Sequence, residues 1–145
     1  MLALIQRVNY ARLSIADELV SAIDIGILAL IGIEKEDQLA QVNRLVDKLL
    51  AYRIFADADG KMNLGLREIG GGLMLVSQFT LAASTDKGLR PGFSTAKAPA
   101  EARQLFEQVV AASQARHNKV ASGVFAAEMQ IALENDGPVT FMLKV

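Results

Sequence analysis

Three residue types are absent or nearly absent from this 145-residue sequence: it has no cysteine, no tryptophan and one histidine. Without cysteine the chain cannot form disulfides, thiolate zinc sites or a cysteine nucleophile, as is usual for an intracellular protein. Acidic and basic residues nearly balance, 16 against 15. This balance argues against a broad basic surface for nucleic acid or anionic membrane, so any contact with nucleic acid should be local.

Long apolar runs and cofactor motifs are also missing. No run approaches the roughly 18 residues of a membrane helix, and the opening residues lack the charged start of a signal peptide, so we expect a soluble, cytoplasmic protein without a membrane partner. There is no Walker loop, GxGxxG or HExxH, and we expect no cofactor and no metal site. Asp57 and Asp59 lack the other ligands of a calcium loop and are interpreted as turn residues.

What the sequence does contain is a dense apolar pattern, with 52% hydrophobic residues. This content suits one compact domain spanning residues 1–145. The apolar run Gly26 to Ile33 predicts a strand covered on both faces. Apolar spacing of three and four predicts one helix from about Leu39, and Pro99 marks the start of a second. We therefore predict an α/β fold in three layers, with two stacked, barrel-like β-sheets and two helices packed outside.

The last third of the chain predicts two strands separated by a turn. Alternate apolar residues from Phe125 to Leu133 indicate a strand with one buried face, and Val139 to Val145 indicate another. Asp136-Gly137 between them is a hairpin signal. Pro138 follows directly and removes a backbone donor where pairing should begin, so it belongs at a strand start, on an edge, or in a different role.

Few side chains suggest chemistry. His117 is predicted in the last turn of the second helix, where interaction with the helix dipole is the simplest role, so a Ser-His-Asp triad is not expected. In "LMLVSQFTLAAS", Ser77, Gln78 and Thr80 interrupt a run predicted to be a buried strand. Buried polar groups need partners, so these residues either line a pocket or satisfy backbone groups at the strand's end.

The two stretches "SQFTLAA" and "NDGPVTF" together resemble the signature pair of the bacterial D-tyrosyl-tRNA deacylases, a family of D-aminoacyl-tRNA deacylases. Further segments match in family order, among them "ALIQRV", "YRIFAD", "LRPGFS" and "FAAEMQIAL". The resemblance therefore covers nearly the whole chain. It implies an editing enzyme that hydrolyses the ester of D-aminoacyl-tRNA, and of glycyl-tRNA mischarged on alanine tRNA, while rejecting L-aminoacyl-tRNA.

The resemblance also implies an answer to the question of Pro138. In this family the Gly-Pro peptide is cis and enters the active site of the neighbouring subunit of a homodimer. Gly137 and Pro138 would then meet the α-amino group of the substrate and leave no space for an L side chain.

Other site residues are carried over from the same resemblance. Those expected to form the catalytic pocket for the terminal adenosine and its ester are Ser77, Gln78, Phe79 and Thr80. Those expected to bind substrate, besides Gly137 and Pro138, are Ala102, Phe125, Met129 and Arg7. Thr80 has no evident activating base, so we expect backbone donors near Gln78 and Phe79 and the ribose hydroxyl of the tRNA to assist water attack.

Basic residues near these motifs have open roles. Arg7 either supports the Gly-Pro segment or is a solvated strand residue. Lys87, Arg90 and Lys97 are expected to contact acceptor phosphates of the tRNA. Alternatives to the editing enzyme are an RNA-binding module, a structural dimerisation domain and a hydrolase of another small ester.

Overall fold

The computed structural model describes residues 1–86 and 88–145. The strands in these residues are β1 Leu2–Ile15, β2 Glu18–Ile23, β3 Gly26–Gly32, β4 Phe55–Ala56, β5 Met62–Leu64, β6 Gly72–Ser77, β7 Val120–Ser122 and β8 Gln130–Lys144. The helices are α1 Leu39–Ala51, α2 Leu66–Ile69 and α3 Pro99–Gln114, with a single 3₁₀ turn at Phe79–Ala82. None of the helices in the described residues is long and apolar enough to cross a membrane.

The main sheet is organised around the long strand β1. Its first half pairs antiparallel with β3 and its second half with β2, while β8 pairs antiparallel along nearly its whole length. β3, β6 and β7 continue the sheet in parallel. The sheet curls into a nearly closed barrel, and β4 and β5 form a small second sheet. The predicted α/β class with a barrel-like sheet is confirmed, with three helices instead of two.

The central strands separate two apolar cores. In β3, Ile27 and Ile31 face a core shared with α1 and α3, whereas Leu28 faces a second core inside the curled sheet. Alternate residues of β6 divide in the same way. Because side chains alternate along a strand, a strand buried on both faces must be apolar throughout, as the sequence of β3 predicted.

The two predicted helices are present, with two corrections. In α1 the predicted apolar face is buried, except that Leu39 at its first turn is 55% exposed. The second predicted helix is α3, which ends at Gln114. His117 therefore lies beyond the last turn, and its Nε2 lies 2.6 Å from the carbonyl oxygen of Gly71. A backbone contact, and not the helix dipole, accounts for the position of this ring.

Asp57 is a turn residue, as predicted. Its Oδ1 accepts hydrogen bonds from the amides of Asp59 and Lys61, both at 2.9 Å, and Asn63 donates to its Oδ2 at 2.6 Å. The Asn63 hydrogen bond, followed by those from the backbone, lowers the pKa of the Asp57 carboxyl group. The acidic motif thus closes the connection between β4 and β5.

The predicted hairpin at Asp136-Gly137 is wrong. Residues on both sides of it belong to one strand, β8, and both pair with β1: Asn135 lies opposite Val8 and Thr140 opposite Gln6. Residues 136–139 therefore have only Arg7 opposite them and bulge out of the ladder. Bulges of this kind redirect side chains and backbone away from a sheet.

Candidate functional site

A large cleft opens where β6 ends. Past Ser77 the chain leaves the sheet, and the amide of Gln78 donates to the carbonyl of Ile31 at 2.7 Å. The 3₁₀ turn follows and lies close to β3: a Cβ at Gly32 would be 2.8 Å from the Cβ of Leu81. The cleft has a volume of about 700 Å³ and is lined by Val76, Ser77, Gln78, Phe79, Phe93, Ala96, Lys97, Ala98, Pro99, Ala102, Phe125, Ala126, Ala127, Met129 and Ile131.

The structure corrects the buried strand predicted beyond Ser77. β6 stops at Ser77, and Phe79 and Thr80 are exposed in the 3₁₀ turn. The polar residues therefore do not interrupt a core strand. Ser77 and Gln78 line the cleft, whereas Thr80 is not among its lining residues and accepts a hydrogen bond from the side-chain amide of Gln78.

Three phenylalanine rings lie among the mostly small and apolar side chains that line the cleft. Phe79 is 61% exposed, and its ring lies 5.1 Å from that of Phe93. Phe125, which also lines the cleft, packs against Phe106 of the helical core, with ring centroids 6.2 Å apart. Exposed rings beside a cleft suit a flat ligand, because stacking gains energy from any aromatic face.

Of the cations expected to contact tRNA phosphates, Lys97 lines the cleft and is bonded within its own chain. The ammonium group of Lys97 donates to the carbonyl oxygen of Lys35 at 2.7 Å and lies 3.5 Å from Glu101, and its side chain is only 10% exposed. Its charge is thus already engaged. Arg90 is exposed and does not line the cleft, and Lys87 lies outside the described residues.

The bulge of β8 is held by hydrogen bonds from its own chain. Asn135 accepts a hydrogen bond from the amide of Val139 at 2.7 Å, and its side-chain NH₂ donates to Thr140 Oγ1 at 2.9 Å. One side chain therefore ties together the two ends of the bulge. Between them, Gly137 and Pro138 are exposed, and the peptide bond that joins them is cis.

Arg7 of β1 fixes the bulge from below. Its Nη1 donates to the carbonyl oxygen of Ile54 at 2.7 Å, and its Nε lies 3.0 Å from the carbonyl oxygen and 2.9 Å from the carboxylate of Asp136. At 15% exposure the Arg7 side chain is not a solvated strand residue. Gly137 has φ of +135°, and a Cβ there would be 2.6 Å from Val139 Cγ2 and 3.1 Å from Arg7 Nη2, so only glycine fits.

The structure brings together only part of the predicted site. Ser77, Gln78 and Phe79 share the cleft with three residues from two other segments, which are Ala102, Phe125 and Met129. Thr80, Arg7, Gly137 and Pro138 are not among its lining residues in the described chain.

Two residues of the site were not found from the sequence. Asn135 lies inside the "NDGPVTF" stretch, but its role depends on Val139 and Thr140 being brought back beside it by the bulge. Phe93 follows a short loop closed by paired backbone hydrogen bonds between Ser84 and Gly92. In sequence it is an isolated aromatic residue between Gly92 and Ser94, with no apolar spacing that points to a pocket.

Solved structures share this fold. One described as c-Myc DNA Unwinding Element Binding Protein superposes with a TM-score of 0.96 and 33% identity, covering 100% of this chain and 99% of that one. A second, described as a probable eukaryotic D-amino acid tRNA deacylase, has a TM-score of 0.88 over 99% and 98% of the two chains, and its 17% identity supports the fold alone.

Sequence relatives match along the full length. A protein of Cellvibrio japonicus named D-aminoacyl-tRNA deacylase is 56% identical over 145 residues, covering 100% of this chain and 99% of its own. One of the same name from Pseudomonas savastanoi pv. phaseolicola is 57% identical over 142 residues, covering 98% of each. The family model described as D-Tyr-tRNA(Tyr) deacylase matches residues 4–144. The resemblance seen in the two signature stretches is therefore confirmed, and the chain belongs to the D-Tyr-tRNA(Tyr) deacylase family.

Proposed function

We propose that this protein hydrolyses the ester bond of D-aminoacyl-tRNA, and that the Gly137-Pro138 bulge of one subunit enters the cleft of a second subunit in a homodimer to exclude L-aminoacyl esters. One observation carries this proposal. The Gly137-Pro138 backbone is exposed and firmly held, yet it lies outside the cleft of its own chain. A rigid backbone element without a ligand in its own subunit is suited to complete the site of another.

The cleft suits the 3′ end of a charged tRNA. Phe79 and Met129 can pack against the terminal adenine, and Ala102, at 8% exposure, leaves space on α3 for the reacting ester. Ser77 and Gln78 supply polar groups at the end of β6. A base stacked on apolar side chains needs few hydrogen bonds to be held. Binding through the adenosine, which is the same in every substrate, fits a site that accepts many amino acids.

The chemistry requires little from side chains. Water adds to the ester carbonyl, the bond to the ribose oxygen breaks, and the tRNA leaves with its hydroxyl restored while the D-amino acid leaves as a carboxylate. His117 cannot serve as the base for Thr80, because it lies against Gly71 at the opposite ends of the parallel strands. The adjacent ribose hydroxyl of the substrate would then assist the attacking water.

Backbone amides would stabilise the oxyanion that forms. The amide of Gln78 is already bonded to Ile31, so it is not the donor. The next two amides, those of Phe79 and Thr80, open the 3₁₀ turn and have no acceptor within it. Preorganised amides at a developing negative charge are worth about 3 kcal/mol each in other acyl-transfer sites.

Chiral selection would come from the bulge. The carbonyl oxygens of Gly137 and Pro138 would meet the α-amino group and occupy the space that an L side chain needs. A site that only excludes L side chains has no means of rejecting glycine, so glycyl-tRNA mischarged on alanine tRNA should be hydrolysed as well. This role in translation fits a cytoplasmic enzyme.

The first test is the hydrolysis of matched D-tyrosyl-tRNA and L-tyrosyl-tRNA by the purified protein. We expect loss of the D ester and persistence of the L ester. Equal rates would contradict the chiral filter and favour a hydrolase of small esters in general. Inactivity on both, with tRNA still bound, would favour an RNA-binding module, and a stable dimer without either property a structural dimerisation domain.

The cross-subunit arrangement has its own test, which uses a heterodimer. One subunit carries Ala98→Trp, which blocks the cleft at an exposed lining residue, and the other carries a deletion of the Gly137-Pro138 pair. The intact bulge and the intact cleft then belong to different subunits. We expect this heterodimer to hydrolyse D esters and reject L esters. Hydrolysis of L esters by the heterodimer would mean that the bulge acts on the cleft of its own subunit.

A further inference from the structure

Arg103 is an uncommitted charge at the edge of the cleft. It follows Ala102 on α3, its side chain is exposed, and its guanidinium carbon lies 5.1 Å from the centroid of the Phe125 ring. No carboxylate in the described part of the chain forms an ion pair with it, since the charged pairs found there involve other cations. The guanidinium is thus positioned by an aromatic face and not by an opposite charge.

Other cations near the site are less suited to bind a ligand. Lys97, the basic residue that lines the cleft, would have to give up Glu101 and the carbonyl of Lys35 before it could bind an external anion. Arg7 is already bonded to Asp136 and to the carbonyl oxygen of Ile54 beneath the bulge. Arg103 can take a phosphate without breaking an existing ion pair.

We propose that Arg103 is a positioning residue that binds the 5′ phosphate of the terminal adenosine of the substrate. This inference rests on the proposed function, since it assumes that the adenine lies among the aromatic side chains of the cleft. A base and its own 5′ phosphate are separated by one ribose, so a base beside Phe125 brings its phosphate to the cleft edge where the guanidinium lies. The planar guanidinium forms two parallel hydrogen bonds with phosphate oxygens, a geometry that lysine cannot provide.

The test compares two small esters that lack the rest of the tRNA. One is D-tyrosyl adenosine, and the other is the same ester carrying a 5′ monophosphate. For the wild-type protein we expect kcat/KM roughly tenfold higher with the phosphate, because a charge-assisted contact contributes this much. We expect Arg103→Ala to lose that preference through a higher KM for the phosphorylated ester, while its rate on the unphosphorylated ester is unchanged. Arg103→Lys should recover part of the phosphate preference.

Matched controls separate this role from general charge and from structure. Arg44→Ala removes an exposed arginine of α1 that does not line the cleft, and should keep the phosphate preference. With D-tyrosyl-tRNA, the plot of log kcat/KM against log salt should be less steep for Arg103→Ala by about 0.7, the value for one phosphate of a single strand. Unchanged thermal unfolding of Arg103→Ala would exclude a structural cause.

The outcomes distinguish this inference from the function on which it rests. Hydrolysis of D-tyrosyl-tRNA with no change in salt slope or phosphate preference on Arg103→Ala would overturn the inference alone. An equal loss on both small esters would assign Arg103 to the base instead of the phosphate, and would also overturn it. Failure of the wild-type protein to hydrolyse D-tyrosyl-tRNA would overturn the proposed function and this inference together.

Discussion

At the scale of single residues, side chains hold the backbone in place more than they carry chemistry. The side chains of Arg7 and Asn135 form hydrogen bonds with main-chain atoms of the bulge, and the side chain of Gln78 donates to Thr80 beside the cleft. Among the described residues that line the cleft, those with reactive side chains are Ser77 and Lys97. Substitutions of single residues are therefore expected to act mainly by changing the position of the backbone around the cleft and the bulge.

Thr80→Ala tests whether a hydroxyl nucleophile is needed. Thr80 lies outside the cleft lining and only accepts a hydrogen bond from Gln78, so we expect less than a tenfold loss of kcat on D-tyrosyl-tRNA. Single-turnover hydrolysis measures this, with Thr80→Ser as the control that keeps the hydroxyl. Inactivation by Thr80→Ala with unchanged tRNA binding, rescued by serine, would assign the nucleophile to Thr80.

Asn135→Ala tests the hydrogen bonds that close the bulge. The variant loses the acceptor for the Val139 amide and the donor to Thr140, and we expect about 1 to 2 kcal/mol less stability together with a lower D-to-L rate ratio. Asn135→Asp keeps the acceptor and should retain most of the ratio. Thermal unfolding and paired D and L hydrolysis are the measurements; an unchanged ratio for Asn135→Ala would mean that Arg7 alone holds the bulge.

At the scale of elements, local patterns predicted burial better than they predicted ends. The half-buried residues Phe125, Ala127 and Met129 alternate with exposed ones as expected, although the strand begins only at Gln130. The alternation reports contact with the core and does not require ladder hydrogen bonds. The Asp-Gly signal failed for a related reason: whether residues 136–139 form a turn or a bulge depends on β1, which is more than 120 positions away in the chain.

Gly32→Ala tests the contact between β3 and the 3₁₀ turn. A Cβ at this position would lie 2.8 Å from Leu81 Cβ, so the turn that carries Phe79 must shift. We expect a severalfold or greater loss of kcat/KM and about 1 to 3 kcal/mol less stability. Gly92→Ala is the matched control, because its Cβ would meet Ser84 only at 3.8 Å and its φ is not in the left-handed region. Equal activity of the two variants would show that the turn position is not critical.

At the scale of the whole molecule, contacts between segments distant in sequence join the start of β1 to the end of β8. The amino group of Met1 lies 2.6 Å from Asp37 and 3.2 Å from Glu34, and Glu34 also pairs with Lys144 at 3.3 Å. The two strands that meet there also form the bulge region: β8 contains the bulge, and β1 contains Arg7, which is bonded to it. The sequence could predict the strands but not these pairings, which depend on the register of β1 and β8.

Glu34→Gln should lower the free energy of unfolding by an amount that depends on pH. Burial alone would raise the pKa of Glu34, but the Met1 amino group and Lys144 together bring it below its ordinary value. A carboxylate with a lowered pKa stabilises the fold above its unfolded pKa, and this contribution is lost as pH falls through the folded pKa. We expect the variant to be less stable by under about 1 kcal/mol at neutral pH, because the pair is partly exposed.

The difference between Glu34→Gln and wild type should shrink as the solution becomes acidic. Thermal unfolding from about pH 7 to about pH 3 measures it, and Glu101→Gln serves as a control, because it removes an exposed carboxylate of α3 that pairs with Lys97. A difference that is constant with pH would mean that the side chain acts through packing and not through its charge.

The bulge of β8 is complete within one chain, since Arg7, Ile54 and Asn135 all belong to the same copy. The conformation of the bulge therefore does not depend on contact with a second subunit. Two such chains would meet as rigid bodies, and the entropy of ordering the Gly137-Pro138 segment would already be lost before they associate. Affinity between subunits and accuracy of the filter would then vary independently, so a variant with weaker association should still be strict in every assembled dimer.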